Sequence, residues 1–224
     1  MVFKFATHEY FPLTEDWDRS PSSIVWSKDG KRLYLTVEEH GHIKLFELPF
    51  RPSFSKKHVP KPLVTEHSLI AVYHAGDSLL LSQTSLTSPS LVQLYDLKSD
   101  TLHPLSSGPN TPISSKSVQE FWFPGFERRQ VHGFLQFPEN FNKSKKYPFA
   151  FLIHGGPQGA WEDAWSTRWN PAVFANAGDG WIVAAINPTG STGYGQDFID
   201  AIQGNWGTKP CMVPSFWRGV YGRL

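Results

Sequence analysis

Between Ile24 and Leu97 apolar and polar positions alternate in short runs separated by glycine-bearing turns. Ile24-Val-Trp-Ser27 precedes the turn sequence Lys28-Asp-Gly30, and the run Arg32-Leu-Tyr-Leu-Thr-Val37 that follows is rich in β-favouring residues. Glu38-Glu-His-Gly41 marks the next turn, and His42-Ile-Lys-Leu-Phe-Glu-Leu48 has the period-two pattern of a half-buried strand. The order then repeats: Ala71-Val-Tyr73, a turn at Ala75-Gly-Asp77, a strand over 79–82 and an alternating partner over 91–97. The two copies stand about 40–50 residues apart, the period of propeller blades. This pattern predicts two four-stranded β-propeller blades joined by the polar stretch 49–62. A small β-sandwich is the alternative reading of the same strands. Two blades alone could not close a propeller, because each buries its faces only against neighbours.

A Ser-, Pro-, Gly- and Thr-rich segment, 106–117, predicts a boundary, and the rhythm changes after it. Residues 118–123 and 131–137 read as a hairpin-like pair of strands. Phe149-Ala-Phe-Leu-Ile153 and Trp181-Ile-Val-Ala-Ala-Ile186 are continuous apolar runs, the pattern of strands buried on both faces. Between them 169–177 suits a helix, with Pro171 in its first turn and Gly178 after its end. A second helix is expected from Asp197. Strand, helix, strand, helix implies an α/β unit with a parallel sheet. The organisation expected is 1–117 as late propeller, 118–210 as the first part of an α/β domain and 211–224 as an atypical tail.

Composition adds exclusions. Hydrophobic residues make up 40% of the 224 and charged residues 18%, enough for a sizeable core. The formal charge of +1, with no long basic stripe, argues against a nucleic-acid partner. No apolar run is long enough to span a membrane, and the first residues lack the apolar core of a signal peptide. The single cysteine, Cys211, allows no internal disulfide. Asn142-Lys-Ser144 is a sequon, which makes Asn142 a glycosylation candidate on a secretory route.

The chemistry-bearing text begins with Leu152-Ile-His-Gly-Gly-Pro157, continues through Asn187-Pro-Thr-Gly-Ser-Thr-Gly-Tyr-Gly195 and ends with Gly204-Asn-Trp-Gly207. In this order the three motifs resemble the opening of the catalytic domain in the prolyl oligopeptidase family of serine peptidases, nearest its fungal secreted dipeptidyl-peptidase V branch. The resemblance runs from about Leu13 to Trp206. It implies propeller blades followed by a truncated N-terminal part of an α/β-hydrolase domain. It also implies hydrolysis of short peptides by acyl transfer without a cofactor, and secretion. An acylaminoacyl-peptidase-like hydrolase and a non-catalytic binding fragment are the alternatives.

In that family a Gly-x-Ser-x-Gly elbow carries the nucleophile, followed by the aspartate and then the histidine. No serine here has glycine two positions away on both sides; Gly190-Ser-Thr-Gly193 comes nearest, with the wrong spacing. The catalytic triad is therefore expected beyond Leu224 and the chain is expected to be inactive alone. Asp163, Asp179, Asp197 and Asp200 precede the position that the acid should occupy. His154, Gly155 and Gly156 are the oxyanion-region candidates, with His154 either a donor or a scaffold for the turn. Trp161, Trp165 and Trp169, four apart, would share one face of a helix, as core or, for Trp161 and Trp165, as a substrate wall. Glu38 and Glu39 read as a solvated pair, or as carboxylates for a peptide amine. His40 and His42 read as turn residues and not as metal ligands.

Overall fold

The β4–β5 turn shows how local sequence sets this architecture. In the computed structural model Glu39 and His42 are directly paired across it, so only His40 and Gly41 form the loop. Both have positive φ, 53° and 74°, the left-handed conformation that matches the twist of a two-residue hairpin. The strands it joins are β4 (Arg32–Glu39) and β5 (His42–Pro49). The structure describes residues 2–50, 59–106, 113–156 and 158–209. The predicted tail at 211–224, Pro157 and parts of the 49–62 and 106–117 segments lie outside the described residues.

A short hairpin of β1 (Val2–Lys4) and β2 (Glu9–Phe11) comes first. The first four-stranded antiparallel sheet has the order β3 (Pro21–Trp26), β4, β5, β6 (Lys61–Val64). The second repeats that sequential order with β7 (Ser68–Ala75), β8 (Ser78–Ser85), β9 (Ser88–Asp96) and β10 (Thr101–Ser106). The three strands read in each copy are present. The outer strands β6 and β10 carry prolines and no clear alternation, which hid them in the sequence.

Both faces of β4 are covered, which is why it reads as nearly continuous apolar text. Tyr34 points into a cluster with Leu45, Val64, Leu69, Val72, Leu79, Leu81 and Tyr95 that joins the first sheet to the second. Leu33, Leu35 and Val37 point the other way, into a cluster with Leu13, Phe46 and Leu48 against which Phe11 and Trp17 pack. Burial of such side chains stabilises each by about 1.5–3 kcal/mol relative to exposure.

The third sheet is mixed, with order β11 (Val118–Pro124), β12 (Gln130–Gln136), β14 (Ile182–Asn187), β13 (Phe149–Ile153). β11 and β12 form the expected antiparallel pair, and β13 runs parallel to β14 with Ile153 opposite Ile186. The helix expected over 169–177 is α1 (Pro171–Ala175), with the Asn170 side chain capping it and Pro171 in its first turn. A second short helix, α2 (Gln196–Asp200), follows the glycine-rich loop.

Two expectations fail. Strand β13 is not buried on both faces: Phe149 is 39% and Ile153 73% exposed, and among the described residues the strand stands at the edge of its sheet. The tryptophans share no helical face either, because 158–170 is irregular. Its backbone donors are spent on tertiary partners: Trp161 N–H donates to Asn187 Oδ1 at 2.6 Å and Trp165 N–H to Thr84 Oγ1 at 3.0 Å. With those N–H groups taken, the i to i−4 ladder cannot form there.

Candidate functional site

Because β13 and β14 are parallel neighbours, their carboxyl ends open on the same side of the sheet, the side where α/β folds bind ligands. His154, Gly155 and Gly156 leave the end of β13, and the loop 187–195 leaves the end of β14. The two are tied together. His154 Nε2 lies 2.9 Å from Ser191 Oγ, and its Nδ1 lies 2.7 Å from the Gly155 carbonyl oxygen. Thr192 N–H donates to the Gly159 carbonyl at 3.0 Å. Asn187, fully buried, accepts from Trp161 N–H and donates to the Trp161 carbonyl and the Tyr194 hydroxyl. Trp161 also donates its ring N–H to the Leu152 carbonyl at 3.1 Å.

The glycines of this loop have a geometric reason. Gly190 has φ 104°, and a Cβ there would stand 2.8 Å from the Ile202 side chain. Gly193 has φ 81° and lies against Glu38 of the first sheet. Ser191 is completely buried and donates to the Pro188 carbonyl at 2.7 Å, so its hydroxyl is part of the loop's internal bracing. Gly155 and Gly156 are exposed, and Gly156 has φ 133°. Pro157 lies outside the described residues.

The β4–β5 turn inserts into this loop region. His40 N–H donates to the Gly193 carbonyl at 3.1 Å, and Asp163 N–H to the Gly41 carbonyl at 2.7 Å. Thr192 Oγ1 donates to Glu38 Oε1 at 2.9 Å. Glu38 and Glu39 are thus not a solvated pair. Burial pushes the Glu38 carboxyl up, a rise partly offset by the Thr192 hydrogen bond. Glu39 faces Lys44 at 2.9 Å and Arg19 at 3.1 Å. Burial, with added repulsion from Glu38, pushes Glu162 up to about 7.

Sequence reading did not find the aromatic and acidic groups around Tyr194. His132 Nδ1 meets the Tyr194 hydroxyl at 2.7 Å, and Glu120 lies within 3.3 Å of His132 Nε2 and 2.9 Å of His42 Nε2. His40 packs edge-on against Trp122 and tilts over Tyr194. Glu120 and His132 sit on adjacent strands far from any recognisable motif, so the only available signal was Tyr194 itself, inside the glycine loop. Trp161 and Trp165 are half-buried beside this region. Asn142 is exposed, its side chain accepting Ser144 N–H at 2.9 Å. Asp179, Asp197 and Asp200 lie on the loops and helix around the sheet, and Asp163 is held between the sheets by Leu86 N–H, which donates to its carboxylate at 2.8 Å.

Residues 165–212 match the prolyl oligopeptidase family. Dipeptidyl-peptidase 5 of Schizosaccharomyces pombe is 44% identical over 214 residues, covering 94% of this chain and 30% of that protein. Dipeptidyl-peptidase 5 of Aspergillus fumigatus is 42% identical over 231 residues, covering 100% of this chain and 31% of that protein. Among solved structures, an acylaminoacyl peptidase of Pyrococcus horikoshii is similar with a TM-score of 0.72 at 18% identity, covering 94% of this chain and 32% of that one. A puromycin hydrolase reaches 0.71 at 18% identity, covering 97% and 34%. The chain spans about a third of the length of these relatives.

Proposed function

We propose that this chain, which belongs to the prolyl oligopeptidase family, is part of a serine peptidase of the dipeptidyl-peptidase 5 type. The two antiparallel sheets are late propeller blades, the mixed sheet opens an α/β-hydrolase domain, and the substrates are short peptides. One observation carries this reading. The His154-Gly155-Gly156 turn and the glycine-rich loop 187–195 leave adjacent parallel strands on the same side and are bonded to each other. That is the arrangement an oxyanion turn needs, with the exposed glycines Gly155 and Gly156 beside a braced loop. Both nitrogens of His154 face atoms of this chain, which favours a scaffold role over direct donation to an oxyanion.

No serine of these 224 residues stands in a Gly-x-Ser-x-Gly elbow, so on this reading the chain alone is expected to hydrolyse no peptide. The dipeptidyl-peptidase likeness, at 44% identity, outweighs the 18% likeness to acylaminoacyl peptidase as a guide to substrate. Secretion and glycosylation at Asn142 accompany this reading; no helix among the described residues is long and apolar enough to cross a membrane. The test is to extend the chain in frame through a Gly-x-Ser-x-Gly elbow and compare dipeptidyl with N-acylated chromogenic substrates. Turnover of the dipeptidyl substrates supports the proposal. Turnover of the acylated ones alone redirects it to the acylaminoacyl class.

A further inference from the structure

Asn187 is held by a backbone pair that fixes which way its amide faces. Its Oδ1 accepts Trp161 N–H at 2.6 Å, so its Nδ2 donates to the Trp161 carbonyl at 2.9 Å. The second Nδ2 hydrogen goes to the Tyr194 hydroxyl at 2.7 Å. Asn187 is fully buried, and a hydrogen left without an acceptor there is costly. Tyr194 is thereby an acceptor on one side and places its own hydrogen on the other. Among the described residues the hydroxyl meets one further group, His132 Nδ1 at 2.7 Å. That nitrogen therefore presents a lone pair and carries no hydrogen.

The opposite end leads to the same assignment. His132 Nε2 lies 3.3 Å from Glu120 Oε2. Hydrogen bonds from His132 and His42 hold Glu120 far below the ordinary carboxyl range, so it is an anion that only accepts. The one ring hydrogen of His132 then sits on Nε2. Burial pushes the Tyr194 hydroxyl up, so it keeps its hydrogen. The imidazole has no room to turn. It is fully buried, with Trp122 tilted against it at 4.7 Å and Phe134 edge-on at 4.9 Å. A Cβ on Gly41 would stand 3.0 Å from its Cε1.

Every donor in this line points the same way: Trp161 to Asn187, Asn187 to Tyr194, Tyr194 to His132 and His132 to Glu120. Hydrogen bonds aligned in one direction polarise and strengthen one another. The line crosses from the segment after β13, through the loop after β14, to β12 and β11. At its start the Trp161 ring N–H also holds the Leu152 carbonyl, two residues before His154. We propose that Glu120, His132 and Tyr194 are positioning residues, in which the Nε2–H form of His132 fixes the Tyr194 hydroxyl and, through Asn187 and Trp161, sets the turn 154–156. That this turn serves an oxyanion rests on the peptidase reading; the direction of the line does not.

NMR of the 224-residue chain with labelled histidine and amide nitrogens reads both ends. At about pH 7.5 His132 is expected to carry its hydrogen on Nε2, and a hydrogen on Nδ1 or on both nitrogens overturns the proposal. Glu120→Leu removes the acceptor, and the ring hydrogen is expected to move to Nδ1. Glu120→Gln keeps a carbonyl oxygen there and should restore the Nε2–H form. Tyr194→Phe interrupts the line from the other side and leaves His42, the second partner of Glu120, untouched. Exchange protection of the Trp161 backbone and ring N–H is then expected to fall about tenfold relative to the amides of β12 and β14. The Gly155 and Gly156 amide resonances should shift with it. Val131→Ala, a truncation of a fully buried core residue on the same strand as His132, should leave the ring hydrogen and those two resonances unmoved. An unmoved ring hydrogen in Glu120→Leu, unchanged Trp161 protection in Tyr194→Phe, or the same shifts in Val131→Ala overturns the proposal. The position of the ring hydrogen in the unsubstituted chain decides if the variants do not fold. None of these readings measures hydrolysis, so failure of the peptidase reading leaves them standing and their failure leaves it standing.

Discussion

His154 and Ser191 meet at 2.9 Å, Nε2 to Oγ, and this contact joins the turn after β13 to the loop after β14. Ser191 is fully buried, so removing its partner leaves a hydroxyl with only the Pro188 carbonyl. His154→Ala and Ser191→Ala are each expected to cost about 1–3 kcal/mol in urea unfolding. The double variant should cost little more than either one, because both remove the same link. Strictly additive losses would show that the two residues act separately.

Gly41 offers a sharper test of how the first sheet docks on the third. It has φ 74°, and a Cβ there would stand 2.9 Å from the Phe134 ring and 3.0 Å from His132. Gly41→Ala is expected to cost about 2 kcal/mol or more, combining left-handed strain with the collision. Gly30 has a similar φ of 66° but open space around it, so Gly30→Ala should show the backbone cost alone, about 1–2 kcal/mol. Chemical denaturation midpoints compare the two, and equal losses would contradict the close approach.

Glu162 sets a pH dependence of its own. Its carboxyl is raised to about 7 in the fold, so the folded chain holds its proton more tightly than the unfolded chain does. The cost of ionising it grows as pH rises from about 4.3 to its folded value and is fully present above that, on the order of 3 kcal/mol. Glu162→Gln should therefore gain stability at about pH 8 and change little at about pH 4. Melting curves at the two pH values check this, and a variant less stable than the parent at the higher pH would refute it.

The legible parts of the fold were those where a local rule acts alone. The alternation of β5, the His40-Gly41 turn and the Asn170-Pro171 helix start all follow from short-range chemistry. The tryptophan spacing misled because 158–170 gives its backbone hydrogens to Asn187 and Thr84, partners 26 and 81 positions away from the tryptophans they bond. The apolar text of β13 was read as a doubly covered strand, but composition does not say what packs on its two faces. At the candidate site the two glycine motifs were visible and their bracing was not. Asn187 and Tyr194 stood inside a recognised loop, yet their roles depend on Trp161, His132 and Glu120, which only the tertiary fold brings near.

The central claim is that these residues carry an oxyanion turn without the nucleophile it serves, and covalent labelling tests it most directly. A fluorophosphonate probe reacts with a serine only where a base and an oxyanion site activate it. The buried Ser191, donating to a backbone carbonyl, has neither access nor an elbow. The 224-residue chain is expected to remain unlabelled, while the same chain extended in frame through a Gly-x-Ser-x-Gly elbow, an aspartate and a histidine labels at that elbow serine. Stoichiometric labelling of the 224-residue chain itself would contradict the account.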